Sequence, residues 1–244
     1  MDYKSIYYPE SKVGDFTNID GTIAFYIRVH SLLDSSATVL DVGCGRGAYA
    51  DDHVSVRKQL RIFKGKCKKV IGIDVDPDAA VNPFLDEFHL LEDQHWPVES
   101  ESVDLAICDF VVEHLEDPNS FFAEMWRVLK PDGVVCIRTP NVISYFGLVS
   151  KLVPNRNHAS VVSKVQPDRE KADVFPTHYK CNTKGSMIRM LRKNGFDPCV
   201  FRYESEPRYL SFSRIFYYCG VIYQRYTLDL FKTTIFAFGK KLGK

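Results

Sequence analysis

A chain of 244 residues with 45% hydrophobic content is long enough to bury one sizeable core with appended segments, and no shift in composition demands a second independent domain. Its 32 basic and 31 acidic side chains leave a formal charge of +1, which removes any general electrostatic reason to bind nucleic acid. Seven cysteines form no C-x-x-C pair and are odd in number, so they read as reduced core residues rather than a disulfide frame or a metal site. The start, Met-Asp-Tyr-Lys-Ser, has no apolar signal region, and a cytoplasmic enzyme is expected.

In chain order, Ile19 to Leu33 carries apolar residues at helical spacing and reads as a helix, closing an N-terminal cap segment over residues 1–34. The apolar run Thr38 to Val42 reads as a strand that enters a loop with glycine at 43, 45 and 47. Glycine there permits a sharp turn and a close approach of bare backbone to a ligand. Arg57 to Phe63 is helical in pattern, and Lys64 to Lys69 is a solvated basic connection. Strands follow at 69–74, 103–108 and 134–139, separated by helical patterns, with Phe121 to Gly133 supplying a helix and turn before the last. Such alternation predicts βαβ units and an α/β, doubly wound, mostly parallel sheet. Ligands bind at the carboxyl ends of such strands, where Gly43, Asp74 and Asp109 fall.

Residues 35–140 thus form a binding core, and 141–244 the other half of the same domain. The stretch 141–175 is polar, turn-prone and too long for a simple connection, so it reads as a substrate loop. A helix is expected over Lys184 to Lys193 with Gly195 as its stop, and strands at about 199–204 and 233–239. Residues 206–228 are rich in aromatics, and their apolar run is shorter than the roughly 17–25 residues of a membrane span. That segment reads as a helix packed on the sheet or on a second copy of the chain, as an interfacial helix for a lipid-linked acceptor at a membrane surface, or as a substrate lid.

Gly43, Gly45 and Ala48 also satisfy the loose G-x-G-x-x-G/A pattern of dinucleotide enzymes. Asp41 moves the balance, because a carboxylate at the strand end repels a pyrophosphate but suits a cationic sulfonium amino acid. Leu-Asp-Val-Gly-Cys-Gly-Arg-Gly at 40–47 closely resembles the first motif of class I S-adenosylmethionine (SAM)-dependent methyltransferases. The likeness continues through Lys-Val-Ile-Gly-Ile-Asp at 69–74, through Leu91 to Asp109, and through Phe121 to Gly133, in the family's order. It implies a Rossmann-like, seven-stranded sheet whose last strand inserts antiparallel. It also implies that the loop of Gly43, Gly45 and Gly47, with Asp41, wraps the methionine part of SAM. Asp74 would accept hydrogen bonds from both ribose hydroxyls, Glu92 or Asp93 would take the acidic position beside adenine, and Asp109 would lie on the cofactor side. Asp76 reads as a cap for the turn at Pro77.

Methyl transfer needs alignment of acceptor, methyl and sulfur, and a hydroxyl acceptor also needs a group to take its proton. His114, in Glu113-His-Leu115 just after the fourth family strand, is the first candidate for that base, and His178, in Phe-Pro-Thr-His-Tyr-Lys, is the second. Similar Glu-His pairs in the family serve sometimes as base and, in certain quinone and small-RNA methyltransferases, as metal ligands; Phe110 stands where the RNA type has an acid, so that metal site is not reproduced and no metal ligand is assigned. Either histidine could instead serve only local hydrogen bonds. His158 lies in the substrate loop, and Tyr49 either faces the sulfonium or packs the loop. The Asn/Asp-Pro-Pro-Tyr run of nucleic-acid N-methyltransferases is absent, Asp109-Phe-Val-Val standing in its place. Transfer to a hydroxyl of a small-molecule or glycan-type acceptor is therefore expected. A lipid or quinone methyltransferase and a catalytically silent SAM-binding protein are the alternatives.

Overall fold

The computed structural model describes residues 3–145 and 176–243. Within them the chain forms seven strands: β1 (Thr38–Val42), β2 (Lys69–Asp74), β3 (Glu87–Leu90), β4 (Val103–Asp109), β5 (Leu129–Pro140), β6 (Phe196–Tyr203) and β7 (Thr234–Lys241). They make one sheet in the order β3-β2-β1-β4-β5-β7-β6. β1 to β5 pair in parallel, while β7 runs antiparallel to both β5 and β6. The expected doubly wound sheet with an antiparallel last strand is what the chain forms, and the parallel strands send the 43, 74 and 109 positions to one edge.

Helices cover both faces: α1 (Lys4–Tyr7), α2 (Gly21–Ser31), α3 (Ser55–Arg61), α4 (Pro118–Val128), α5 (Lys184–Lys193) and α6 (Arg214–Tyr226). Their ends obey local chemistry. The Asp20 carboxylate accepts from the N–H groups of Thr22 and Ile23 at 2.9 Å and starts α2. Thr183 and Ser186 form a reciprocal capping box on α5, and Gly195, at φ +82°, lets the chain leave it.

Because side chains alternate along a strand, each strand feeds two cores. Leu40, Ile73, Cys108 and Ile137 pack against Phe122 and Met125 of α4 and Met187 and Leu191 of α5. On the opposite face Val39, Val70, Ile107 and Cys136 meet Phe25, Tyr26 and Val29 of α2. Burial on both faces explains why β1, β2 and β4 read as continuous apolar runs.

Two sequence expectations change. No helix separates β2 from β4: a 3₁₀ turn over Pro77–Val81 leads instead into β3, a short edge strand whose four residues are all half-buried. The expected turn at Lys130 to Gly133 lies within β5, where the register against β4 slips between Val103 and Leu105. Asp132 takes φ +65° in that bulge. Of the cysteines, 44, 108, 136 and 181 are buried, whereas Cys199 and Cys219 are exposed.

The aromatic segment becomes α6, whose Tyr217 and Val221 pack on Tyr8, with Tyr3, Tyr7 and Ile19 around them. Its other face exposes Ile215, Phe216, Tyr218 and Tyr226. No described helix is long and apolar enough to cross a membrane. Residues 146–175 of the expected substrate loop, with His158, lie outside the described residues.

Candidate active site

The turn after β1 is built from three left-handed glycines, with φ +69° at Gly43, +53° at Gly45 and +78° at Gly47. A Cβ at Gly43 would stand 2.5 Å from Val111 Cγ2, and one at Gly47 would stand 2.8 Å from Asn82 Oδ1. Those two glycines are required by the protein's own packing. Gly45 differs, since a Cβ there meets nothing within 4 Å. Its bare backbone faces open space at the sheet edge, a cradle that a side chain would fill and a ligand can use.

Asp74, at the end of β2, is buried and tied to that turn. Its Oδ2 accepts from the Gly45 N–H at 2.8 Å and its Oδ1 from the Asp76 N–H at 2.9 Å. Each carboxylate oxygen keeps lone-pair capacity, so the pair can still receive two hydroxyls of a vicinal diol. Asn82 donates its amide to the carbonyls of Cys44 and Gly45 at 3.1 and 3.0 Å and holds the loop from behind. Asp76 caps the Pro77 turn through the Asp78 N–H, as its position suggested, and also receives Arg46 at 2.9 Å.

Across β1 and β4 the carboxylates of Asp41 and Asp109 are differently compensated. Burial pushes the Asp41 carboxyl up to about 7; Arg61 opposes this, while Asp109 and Asp74 add to it. A cationic amino-acid group beside Asp41 would restore its charged form. Asp109 is clamped by Arg138 through two bonds of 2.6 Å and accepts from the Tyr26 hydroxyl at 3.0 Å. Its pKa is lowered, Arg138 overcoming the burial that acts against the charge. Asp109 therefore lies at the carboxyl end of β4 as an arginine-paired anion.

Arg138, Arg61 and Asn82 were not singled out from sequence. Arg138 sits in the middle of an apolar strand, a signal that could have marked it. Arg61 ends α3 and lies over the Tyr49 ring at 4.5 Å, with its Nε buried and unpartnered among the described residues. The cation on Tyr49 is thus the protein's own, and Tyr49 also stacks on Phe84.

The two candidate histidines come together beside the loop after β4. His114 Nδ1 donates to the Pro176 carbonyl at 2.8 Å, because a carbonyl can only accept, and this bond places the proton on Nδ1. The His178 N–H donates to the Glu113 carbonyl at 2.8 Å, and its Nε2 lies 3.6 Å from the exposed Glu116 carboxylate. Beneath them, Asn182 donates to Thr139 Oγ1 at 2.6 Å and Thr139 donates to the buried Glu113 carboxylate at 2.9 Å. Near β3, Asp93 is engaged in its own turn with the His95 N–H at 2.7 Å. Glu92 is exposed one residue closer to the end of β3. Among the described residues no group of three or more His, Cys, Asp or Glu side chains is arranged to hold a metal.

An open glycine turn, a buried carboxylate on the next strand and a second carboxyl whose charged form burial disfavours lie together at one edge of the sheet. Residues 22–200 match the family model described as a methyltransferase domain. The chain belongs to the class I SAM-dependent methyltransferase superfamily. A "Probable S-adenosylmethionine-dependent methyltransferase" of Mycolicibacterium smegmatis is 33% identical over 112 residues, 44% of this chain and 39% of that protein. The ubiquinone biosynthesis O-methyltransferase of Aliivibrio fischeri is 32% identical over 140 residues, 49% of this chain and 54% of that one. This methyltransferase chain thus matches about half or less of each relative's length. The structure of geranyl diphosphate C-methyltransferase from Streptomyces coelicolor, solved with S-adenosylhomocysteine (SAH), is similar in fold. Its TM-score is 0.55 at 13% identity, covering 91% of this chain and 79% of that one.

Proposed function

We propose that this methyltransferase carries a methyl group from SAM to a hydroxyl of a small-molecule or glycan-type acceptor. The observation that carries the reading is the joint at Gly45, whose N–H binds Asp74 while its Cα faces open space. The residues fit the cofactor. Gly43, Gly45 and Gly47 lie against the methionine part, with Asp41 facing its cationic groups. Arg61, whose buried Nε has no partner among the described residues, suits its carboxylate. Asp74 holds the ribose, Glu92 or Asp93 stands beside adenine, and Asp109 forms the cofactor-side wall through its pair with Arg138. SAM, when bound there, supplies a methyl group already activated by a sulfonium leaving group.

The chain's own contribution is positioning and proton removal. His114 is the proton acceptor in this reading: with its proton held on Nδ1 by Pro176, Nε2 carries the lone pair. His178, pinned beside it through the Glu113 carbonyl, contacts the acceptor. His114→Ala should leave SAH affinity within a factor of about two and lower kcat about 10²- to 10⁴-fold, the range for general base catalysis. Full turnover by that variant removes His114 from the mechanism.

Calorimetric titration with SAH, followed by a methyl-transfer assay on sugar, quinone and lipid panels, tests the whole reading. SAH binding with turnover on a hydroxyl acceptor supports it. Binding without turnover on any acceptor favours a catalytically silent SAM-binding protein, and NAD binding without SAH binding overturns it.

A further inference from the structure

Beyond the cofactor edge, a recess of about 150 Å³ opens between the carboxyl ends of β4 and β5, the start of α2 and the β6–β7 connection. We propose that this recess selects a neutral, hydroxyl-rich acceptor over anionic ones, with Glu204 as its specificity-determining residue. The inference rests on the methyl-transfer reading and extends it from a reaction to a substrate class.

Charge decides the class. Three guanidinium groups reach the wall, and the two deepest are already matched. Arg57 pairs with Asp20 at 2.9 Å and also with Asp52, and Arg138 is clamped on Asp109. The wall also carries Glu204 and Glu206, against the exposed Arg208. An anionic group entering here meets two carboxylates with no unmatched deep cation to receive it. Anions are therefore opposed at this wall, whereas the two deep guanidiniums, already balanced by carboxylates, exert little net repulsion of their own.

Uncharged hydroxyls suit both kinds of wall group, as donors to carboxylates and acceptors from guanidiniums. Glu204 is set for this. The Thr233 N–H donates to one of its oxygens at 2.7 Å and the Thr233 hydroxyl to the other at 3.0 Å. The carboxylate is thereby fixed in place while lone pairs stay available for O–H donors. Glu206 adds Oε2, which is buried without a hydrogen-bond partner among the described residues. Phe110, Tyr145 and Tyr209 supply flat apolar faces of the kind that pack on the C–H side of a polyol ring.

Burial pushes the Glu204 carboxyl up to about 7, with Thr233 and Lys232 working against the rise; Tyr8, Tyr145 and Tyr223 also face it. Lone burial of a charge would be costly, and hydroxyl donors from a ligand offset that cost.

The test uses saturation-transfer NMR on the cofactor-free chain with matched methyl glycosides of hexoses and 6-deoxyhexoses and their uronates, followed by steady-state assays with SAM. Neutral glycosides should bind at least tenfold tighter than the uronate counterparts. Glu204→Gln should raise KM for the preferred glycoside at least tenfold while kcat stays within about threefold and SAH affinity is unchanged. Thr233→Val should raise KM in the same sense, by loosening the same carboxylate. Preference for a uronate, no binding by any neutral member, or a loss confined to kcat in Glu204→Gln overturns the inference. Failure of the wild-type chain to bind SAH overturns instead the reading beneath it.

Discussion

Gly43 and Gly45 share a backbone conformation but not a role, and substitution separates the two. Gly43→Ala forces a Cβ onto Val111 at positive φ, so it should destabilise the fold by about 1–3 kcal/mol, read as a lower denaturation midpoint. Gly45→Ala adds its methyl to open space, so SAH affinity should fall more than tenfold while stability falls by about 1 kcal/mol through backbone strain alone. Asp41 makes a pH-dependent prediction. With its folded pKa raised to about 7 against roughly 3.9 in the unfolded chain, the folded ligand-free protein keeps a proton that the unfolded chain loses between those values. Stability from this group is therefore highest below about pH 4 and declines as pH rises towards 7. Asp41→Asn should melt above the wild type at pH 8 and converge with it near pH 4, while binding SAM at least tenfold more weakly at pH 8. A variant that melts below the wild type at pH 8 contradicts that assignment.

Elements with strong local signals were legible and those without were not. β1, β2 and α5 fall on their expected residues because each joins a clear periodicity to a terminal signal, an acid or glycine after the strands and Thr183 before the helix. β3 was missed, since four half-buried residues at a sheet edge carry neither an apolar run nor a clean alternation. The Lys-Pro-Asp-Gly run at 130–133 has turn chemistry, and only its pairing with β4 makes it a bulge inside β5. The helix contacts give a further expectation. Phe122 of α4 is fully buried against the sheet, so Phe122→Ala should cost about 3–5 kcal/mol in chemical denaturation. Thr183→Ala, which removes only the cap of α5, should cost about 1 kcal/mol.

For the molecule as a whole, the parallel order of β1 to β5 delivers Gly43, Asp74 and Asp109 to one edge, while the antiparallel β7 brings Thr233 and Glu204 to its far side. The Gly43, Asp74 and Asp109 part of this edge was readable because its residues adjoin strand ends in a fixed chain order. The recess beside it was not, because Arg57, Arg138 and Glu204 lie 81 and 66 positions apart in the chain and meet only in the fold. Their pairing with Asp20, Asp109 and Thr233 is a property of the tertiary structure. A crystal structure of the chain with SAH bound tests the central claim most directly. It should place the homocysteine part on Gly43–Gly47 and both ribose hydroxyls within hydrogen-bond distance of Asp74. A nucleoside seated elsewhere, or a ribose out of reach of Asp74, would contradict it.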